Sequence, residues 1–125
     1  MSDSDRRDLG AAMMQKVYGD VVPVPPEGQS AFADLMLGQL FAEVWTRELL
    51  SVRDRRLLTM GVIAALGEQV TWGIQVRAAL ANGELTAEQA REVLIHLAQY
   101  AGYPRVSSLL RVTEEAIAAA GSARP

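Results

Sequence analysis

Residues 86–101 carry the stretch TAEQAREVLIHLAQYA, which decides the fold class of this 125-residue chain. Thr86 followed by Gln89 is a capping box, in which each side chain binds the backbone N–H of the other residue at the start of a helix. Behind it, apolar residues recur at the spacing of one helix face: Ala90, Leu94, Leu97, Ala98 and Ala101. The sequence therefore predicts a helix from Thr86 to about Ala101.

The same helical periodicity extends through the rest of the chain. Gly102-Tyr103-Pro104 turns the chain into a last helix that ends near Gly121, and these two helices are expected to form an antiparallel pair. Four helices are predicted before them, over residues 4–18, 30–46, 51–66 and 68–81. No segment alternates as a strand does. We expect one all-α, six-helix domain over residues 1–125, with its core at about 30–120 and a frayed tail over 122–125.

The composition excludes several classes of function. A net charge of −3 argues against a nucleic-acid surface, which needs a dense basic stripe. The absence of cysteine excludes thiol catalysis, disulfides and thiolate metal sites. Residues 1–8 lack the apolar core of a signal peptide, and the longest apolar stretch, 57–66, is too short to span a bilayer. The expectation is a cytoplasmic protein with neither a membrane nor a nucleic-acid partner.

The two middle helices indicate self-association. Residues 57–66 and 70–80 are apolar over more than one helix face. A helix with two apolar faces in a small domain buries one of them in its own core, and the other is then available to a second subunit. A homo-oligomer is therefore expected.

Four stretches, in order, resemble the carboxymuconolactone decarboxylase family. They read LFAEVW at 40–45, LSVRDRRLLT at 50–59, AALANG at 78–83 followed by Thr86, and EVLIHLAQYAGYP at 92–104. The resemblance implies the alkylhydroperoxidase D-like all-α fold, a trimer or hexamer, and one of two chemistries. One branch of the family decarboxylates 4-carboxymuconolactone without a cofactor. The other reduces peroxides through a Cys-x-x-Cys pair followed four residues later by histidine.

The chain departs from the family where that reactive motif would lie. The two thiol positions fall on Glu68 and Thr71, and the histidine position falls on Gln75. Without a thiolate there is no peroxidase chemistry, and Gln75 cannot take a proton near neutral pH. Two interpretations stay open for this helix face. Either it lines a pocket, where burial would raise the pKa of Glu68 towards that of a general base, or Glu68 is a helix-start carboxylate favoured by the helix dipole.

The other candidate residues come mostly from the segments that carry the resemblance. His96 is the only histidine, and histidine is the side chain whose ordinary pKa suits proton transfer near neutral pH. Glu43 matches an acidic position of the decarboxylase branch, although a solvated glutamate explains it equally well. Arg55 is preferred over Arg53 as a clamp for a substrate carboxylate. The predicted substrate-binding set is completed by three aromatic residues: Trp45, Trp72 and Tyr103.

Two functions from different classes remain. The first is a cofactor-free, metal-free lyase or isomerase that decarboxylates, isomerises or cyclises a small carboxylated, lactone-like or polycyclic metabolite, in aromatic catabolism or natural-product biosynthesis. Its catalytic acid–base groups would be Glu68, Glu43 and His96, with Thr71 and Gln75 orienting the substrate. The second is a non-catalytic ligand-binding or assembly member of the same family, which the amide at position 75 favours.

Overall fold

The computed structural model describes residues 1–123, and over these the chain is helical with no strand, as predicted. Residue contacts cluster into two compact units, residues 1–52 and the chain from Arg53 onwards. The prediction of one domain over residues 1–125 stays a prediction. Of the predicted frayed tail, residues 122 and 123 are helical, and residues 124 and 125 lie outside the described part.

The first unit consists of α1 (Asp3–Tyr18), the short α2 (Ala31–Leu35) and a π-helical segment (Met36–Val44) that continues α2. α1 and the π-helical segment touch at their backbones, because a Cβ on Gly10 would lie 1.8 Å from the carbonyl oxygen of Leu37. Their apolar faces enclose a small core: Met14, Val17, Leu37, Phe41 and Trp45. The sequence predicted an ordinary α-helix over 30–46. It could not reveal the i→i+5 hydrogen bonds, such as Trp45 N–H to Leu40 carbonyl at 3.0 Å, because both helix types place apolar residues on one face over two turns.

The second unit holds α3 (Val52–Leu66), α4 (Gln69–Ala81), α5 (Ala87–Ala101) and α6 (Tyr103–Ala123). The capping box of Thr86 and Gln89 is present. Gly83, with φ of 69°, follows the end of α4 in the left-handed conformation that glycine favours. Arg91 near the start of α5 pairs with Glu114 in the second half of α6 at 2.8 Å, which confirms the antiparallel pair.

The core of the second unit is built from the buried faces of its helices. Trp72 of α4 is fully buried and donates its indole N–H to Thr113 of α6 at 2.8 Å. Gly73 lets α6 approach closely, since a Cβ there would lie 2.9 Å from a methyl carbon of Val112. Large aliphatic residues remain exposed on the opposite side of α3 and at the start of α4: Leu58, Val62, Leu66 and Val70. No helix within residues 1–123 has the length and apolar character needed to cross a membrane.

Candidate functional site

A buried ion pair joins α3 to the segment between α4 and α5. Arg56 has no exposed side-chain surface, and its Nε and Nη2 donate to the carboxylate oxygens of Glu84 at 2.9 and 3.3 Å. Its Nη1 donates to the amide oxygen of Gln75 at 2.7 Å, and Asn82 donates to Glu84 at 3.0 Å. A buried guanidinium needs such partners because removing a charge from water is costly. The cluster therefore fixes the α4–α5 connection against α3.

Neither Arg56 nor Glu84 was predicted from the sequence. A signal was present, because Arg56 has the helical spacing of the buried residues Met60, Ile63 and Ala64 on α3. A charged residue on a core stripe predicts a buried partner, but the sequence does not say which acidic residue supplies it. The tertiary structure places Glu84, 28 residues further along, in that position.

A groove of about 420 Å³ lies between α3 and α5, and both Arg53 and His96 line it. The volume is at the small end of the range of ligand pockets, roughly 300–1,000 Å³. Half of the lining residues are large and aliphatic, and the other half are charged or polar. The aliphatic residues are Leu57, Leu85, Val93 and Leu97, and the others are Arg53, Gln89, Glu92 and His96.

Arg53 is held at one end of the groove by the same segment that neutralises Arg56. Its Nε donates to the backbone carbonyl of Glu84 at 3.0 Å, and Nη1 lies 4.0 Å from Asp54. Because Nε is engaged by a backbone oxygen, the terminal Nη groups are the ones that can bind a carboxylate end-on. The structure thus brings Arg53 to the groove. Arg55, the arginine predicted as the carboxylate clamp, is partly buried and is not among the groove-lining residues.

His96 lies on the α5 wall of the groove and is exposed. Glu92 precedes it by one helical turn, and the ring of Tyr100, one turn later, has its centroid 5.2 Å from the imidazole centroid at a tilt of 43°. The imidazole is therefore accessible from the groove and is packed on one side by an aromatic ring. The structure places the predicted proton-transfer residue in a cavity, and its catalytic role stays a prediction.

Glu68 caps α4, as the second of the two interpretations expected. Its carboxylate accepts the backbone N–H groups of Val70 and Thr71, each at 2.9 Å, and also the hydroxyl of Thr71. These hydrogen bonds, the one from the Thr71 hydroxyl first, lower the pKa of Glu68 from its ordinary value of 4.5, and the residue is exposed. The expectation that burial raises the pKa of Glu68 is therefore wrong.

Gln75 and Trp72 are both buried inside the second unit. Gln75 is buried with 3% of its surface exposed, and its amide oxygen accepts from Arg56. The predicted face is thus divided, with Glu68 and Thr71 exposed at the helix start and Gln75 inside the unit. Trp72 fills the core between α4 and α6, and its role in substrate binding stays a prediction.

The remaining predicted residues lie elsewhere. In the first unit, Glu43 is exposed and pairs with Arg6 at 3.0 Å, and Trp45 is stacked on Phe41 with ring centroids 6.2 Å apart. In the second unit, the exposed Tyr103 accepts a hydrogen bond from Gln99 at 2.7 Å. The roles of Glu43, Trp45 and Tyr103 in binding or catalysis stay predictions. Within residues 1–123, no three histidine, aspartate or glutamate side chains gather closely enough to hold a metal ion.

Comparison with known proteins assigns the family. The model of the carboxymuconolactone decarboxylase family matches residues 30–115, a range that contains the whole groove. The chain belongs to this family. No solved structure matches it.

Two relatives match this chain over different shares of its length. A 4-carboxymuconolactone decarboxylase of Acinetobacter baylyi is 33% identical over 75 residues, which are 60% of this chain and 55% of that protein. The nitrosuccinic acid decarboxylase npaB of Metarhizium robertsii is 30% identical over 113 residues, 90% of this chain and 76% of that protein. The match thus spans about half the length of the Acinetobacter protein and three quarters of the Metarhizium protein.

Proposed function

We propose that this family member is a cofactor-free decarboxylase of small carboxylated metabolites, with its reaction site in the groove between α3 and α5. The observation that carries the proposal is the placement of the chain's single histidine, His96, in a groove with an aliphatic floor and one cation, Arg53. Both relatives are named decarboxylases, which favours decarboxylation over the isomerisation or cyclisation that the same groups could catalyse.

The aliphatic floor of the groove favours loss of the substrate carboxylate as carbon dioxide. When the bond to the carboxyl carbon breaks, its electron pair stays on the neighbouring carbon and is delocalised into a carbonyl or lactone group of the substrate. The negative charge of the carboxylate disperses in this step, so contact with the aliphatic surface of Leu57, Val93 and Leu97 favours the transition state over the ground state. The charge of Glu92 on the same wall acts in the same direction, because it repels the intact carboxylate.

His96 supplies the proton that completes the reaction. Its imidazolium donates a proton to the carbon that retained the electron pair, and the ring then takes a proton from water. In sum, one carboxylate and one proton give carbon dioxide and the protonated product. Arg53 binds an anionic group that the substrate retains, since a guanidinium on the leaving carboxylate would stabilise the charge that must disperse.

The test is carbon dioxide release from a panel of activated carboxylic acids, including 4-carboxymuconolactone and nitrosuccinic acid. For a compound that reacts, His96→Gln should lower kcat by roughly 10²–10⁴-fold, the usual contribution of a positioned proton donor. Glu114→Gln, which changes an exposed ion pair outside the groove, is the matched control and should leave kcat unchanged. Unchanged turnover by His96→Gln would overturn the assignment. Binding without release of carbon dioxide from any compound would instead support the non-catalytic alternative.

A further inference from the structure

The two functional ends of the groove are held apart. At one end, Arg53 is anchored near the start of α3 by the carbonyl of Glu84, two residues before the cap of α5. Further along, a Cβ on Gly61 of α3 would lie 3.8 Å from a methyl carbon of Leu97 on α5. The two helices therefore run side by side in the same direction, and His96 lies towards the end of the groove away from Arg53.

The separation is large relative to a small metabolite. On α5, His96 follows Gln89, the first groove-lining residue of that helix, by seven residues. At 1.5 Å of rise per residue this is about 10 Å along the helix axis. Arg53 cannot shorten the distance without giving up its hydrogen bond to the Glu84 carbonyl. Between the two ends the groove presents the aliphatic side chains of Leu57 and Val93, with Gln89 and the acidic Glu92 on the α5 wall and no second cation.

We infer that the groove selects an elongated substrate, in which a retained carboxylate at Arg53 is separated by an apolar ring or chain from the carboxyl group that leaves near His96. The inference rests on the proposed function and adds the substrate class. A short dicarboxylate that reaches Arg53 would leave its second carboxylate part-way along the groove, where the aliphatic surface and the charge of Glu92 both disfavour it. An apolar spacer instead places aliphatic surface against aliphatic surface.

The experiment compares succinate with suberate, two unreactive dicarboxylates that differ in the length of the apolar chain. Binding is followed through the ring C–H resonances of His96, which are unambiguous in untagged protein because the chain has one histidine. We expect suberate to shift the His96 resonances and to bind at least tenfold more tightly than succinate. Arg53→Gln should remove most of this advantage, and the control Arg111→Gln, an exposed α6 arginine paired with Glu115, should retain it.

The outcomes separate the inference from the function on which it rests. If both acids shift His96 and succinate binds as tightly as suberate, the inferred length selection is wrong and the reaction site stands. If the advantage of suberate is equal in Arg53→Gln, it reflects hydrophobicity alone, and the inference is again wrong. If neither acid shifts His96 and Arg53→Gln changes no affinity, the proposed site itself is wrong.

Discussion

The Arg56–Glu84 pair offers the sharpest test of the packing around the groove. Glu84→Gln keeps the shape of the side chain but removes the charge that compensates a guanidinium with no exposed surface. Leaving one member of a buried pair without its counter-charge destabilises a protein by about 3–5 kcal/mol. Glutamine can still accept one hydrogen bond from Arg56, so we expect the lower limit, a loss of about 3 kcal/mol.

The assay is urea denaturation followed by circular dichroism at 222 nm. The denaturant slope should be unchanged, because the surface exposed on unfolding is the same. With a slope of about 1.5 kcal/mol per molar urea, a loss of about 3 kcal/mol lowers the midpoint by about 2 M. Replacing both members, as Arg56→Met with Glu84→Gln, should recover part of the loss because no buried charge remains.

The matched control is Glu114→Gln, which breaks an ion pair of similar geometry on the surface. Arg91 and Glu114 are 45% and 43% exposed, and their Nη2–Oε1 distance is 2.8 Å. Water and salt screen such a pair, so the midpoint of this variant should stay close to that of the wild type. A midpoint shift in Glu84→Gln no larger than in Glu114→Gln would refute the conclusion that Arg56 depends on Glu84 as a buried counter-charge.

Three further predictions concern the helices around the site. The pKa of Glu68 is lowered in the folded state, so its carboxylate stabilises the fold at pH values above the ordinary pKa of 4.5. The difference in melting temperature between wild type and Glu68→Gln should therefore be largest at pH 7 and shrink as the pH falls through the lowered pKa. In the same urea assay, Gly73→Ala should lower the free energy of unfolding by about 1–3 kcal/mol, because its Cβ would lie 2.9 Å from the stiff side chain of Val112. Gly61→Ala has ordinary contact distances, so it should raise the free energy of unfolding by up to about 1 kcal/mol. We expect the exposed apolar face of α3 to be covered in a homo-oligomer, so light scattering should report a mass above 13.5 kDa that Val62→Glu lowers; a 13.5 kDa wild-type species alone would contradict this.

The sequence by itself determined the local structure and the family. The capping box of Thr86 and Gln89 and the apolar stripe behind it lie within one helix, so their spacing alone indicates α5. The turn at Gly102 likewise indicates the antiparallel partner, α6. These features depend on residues a few positions apart, whose relative placement helix geometry fixes. The order of the family segments then predicted the membership that the comparison confirmed.

Only the tertiary structure decided which side chains meet. Arg53 reaches the groove because a carbonyl 31 residues away accepts its hydrogen bond, and Arg56 is tolerated in the core because Glu84 folds back onto it. Gln75 is a partner of that buried charge, although its polarity alone suited a pocket equally well. Burial and ionic pairing depend on contacts between distant parts of the chain, and the physical cost of an uncompensated buried charge selects among them. The spacing of residues along one helix does not show which of these distant contacts form.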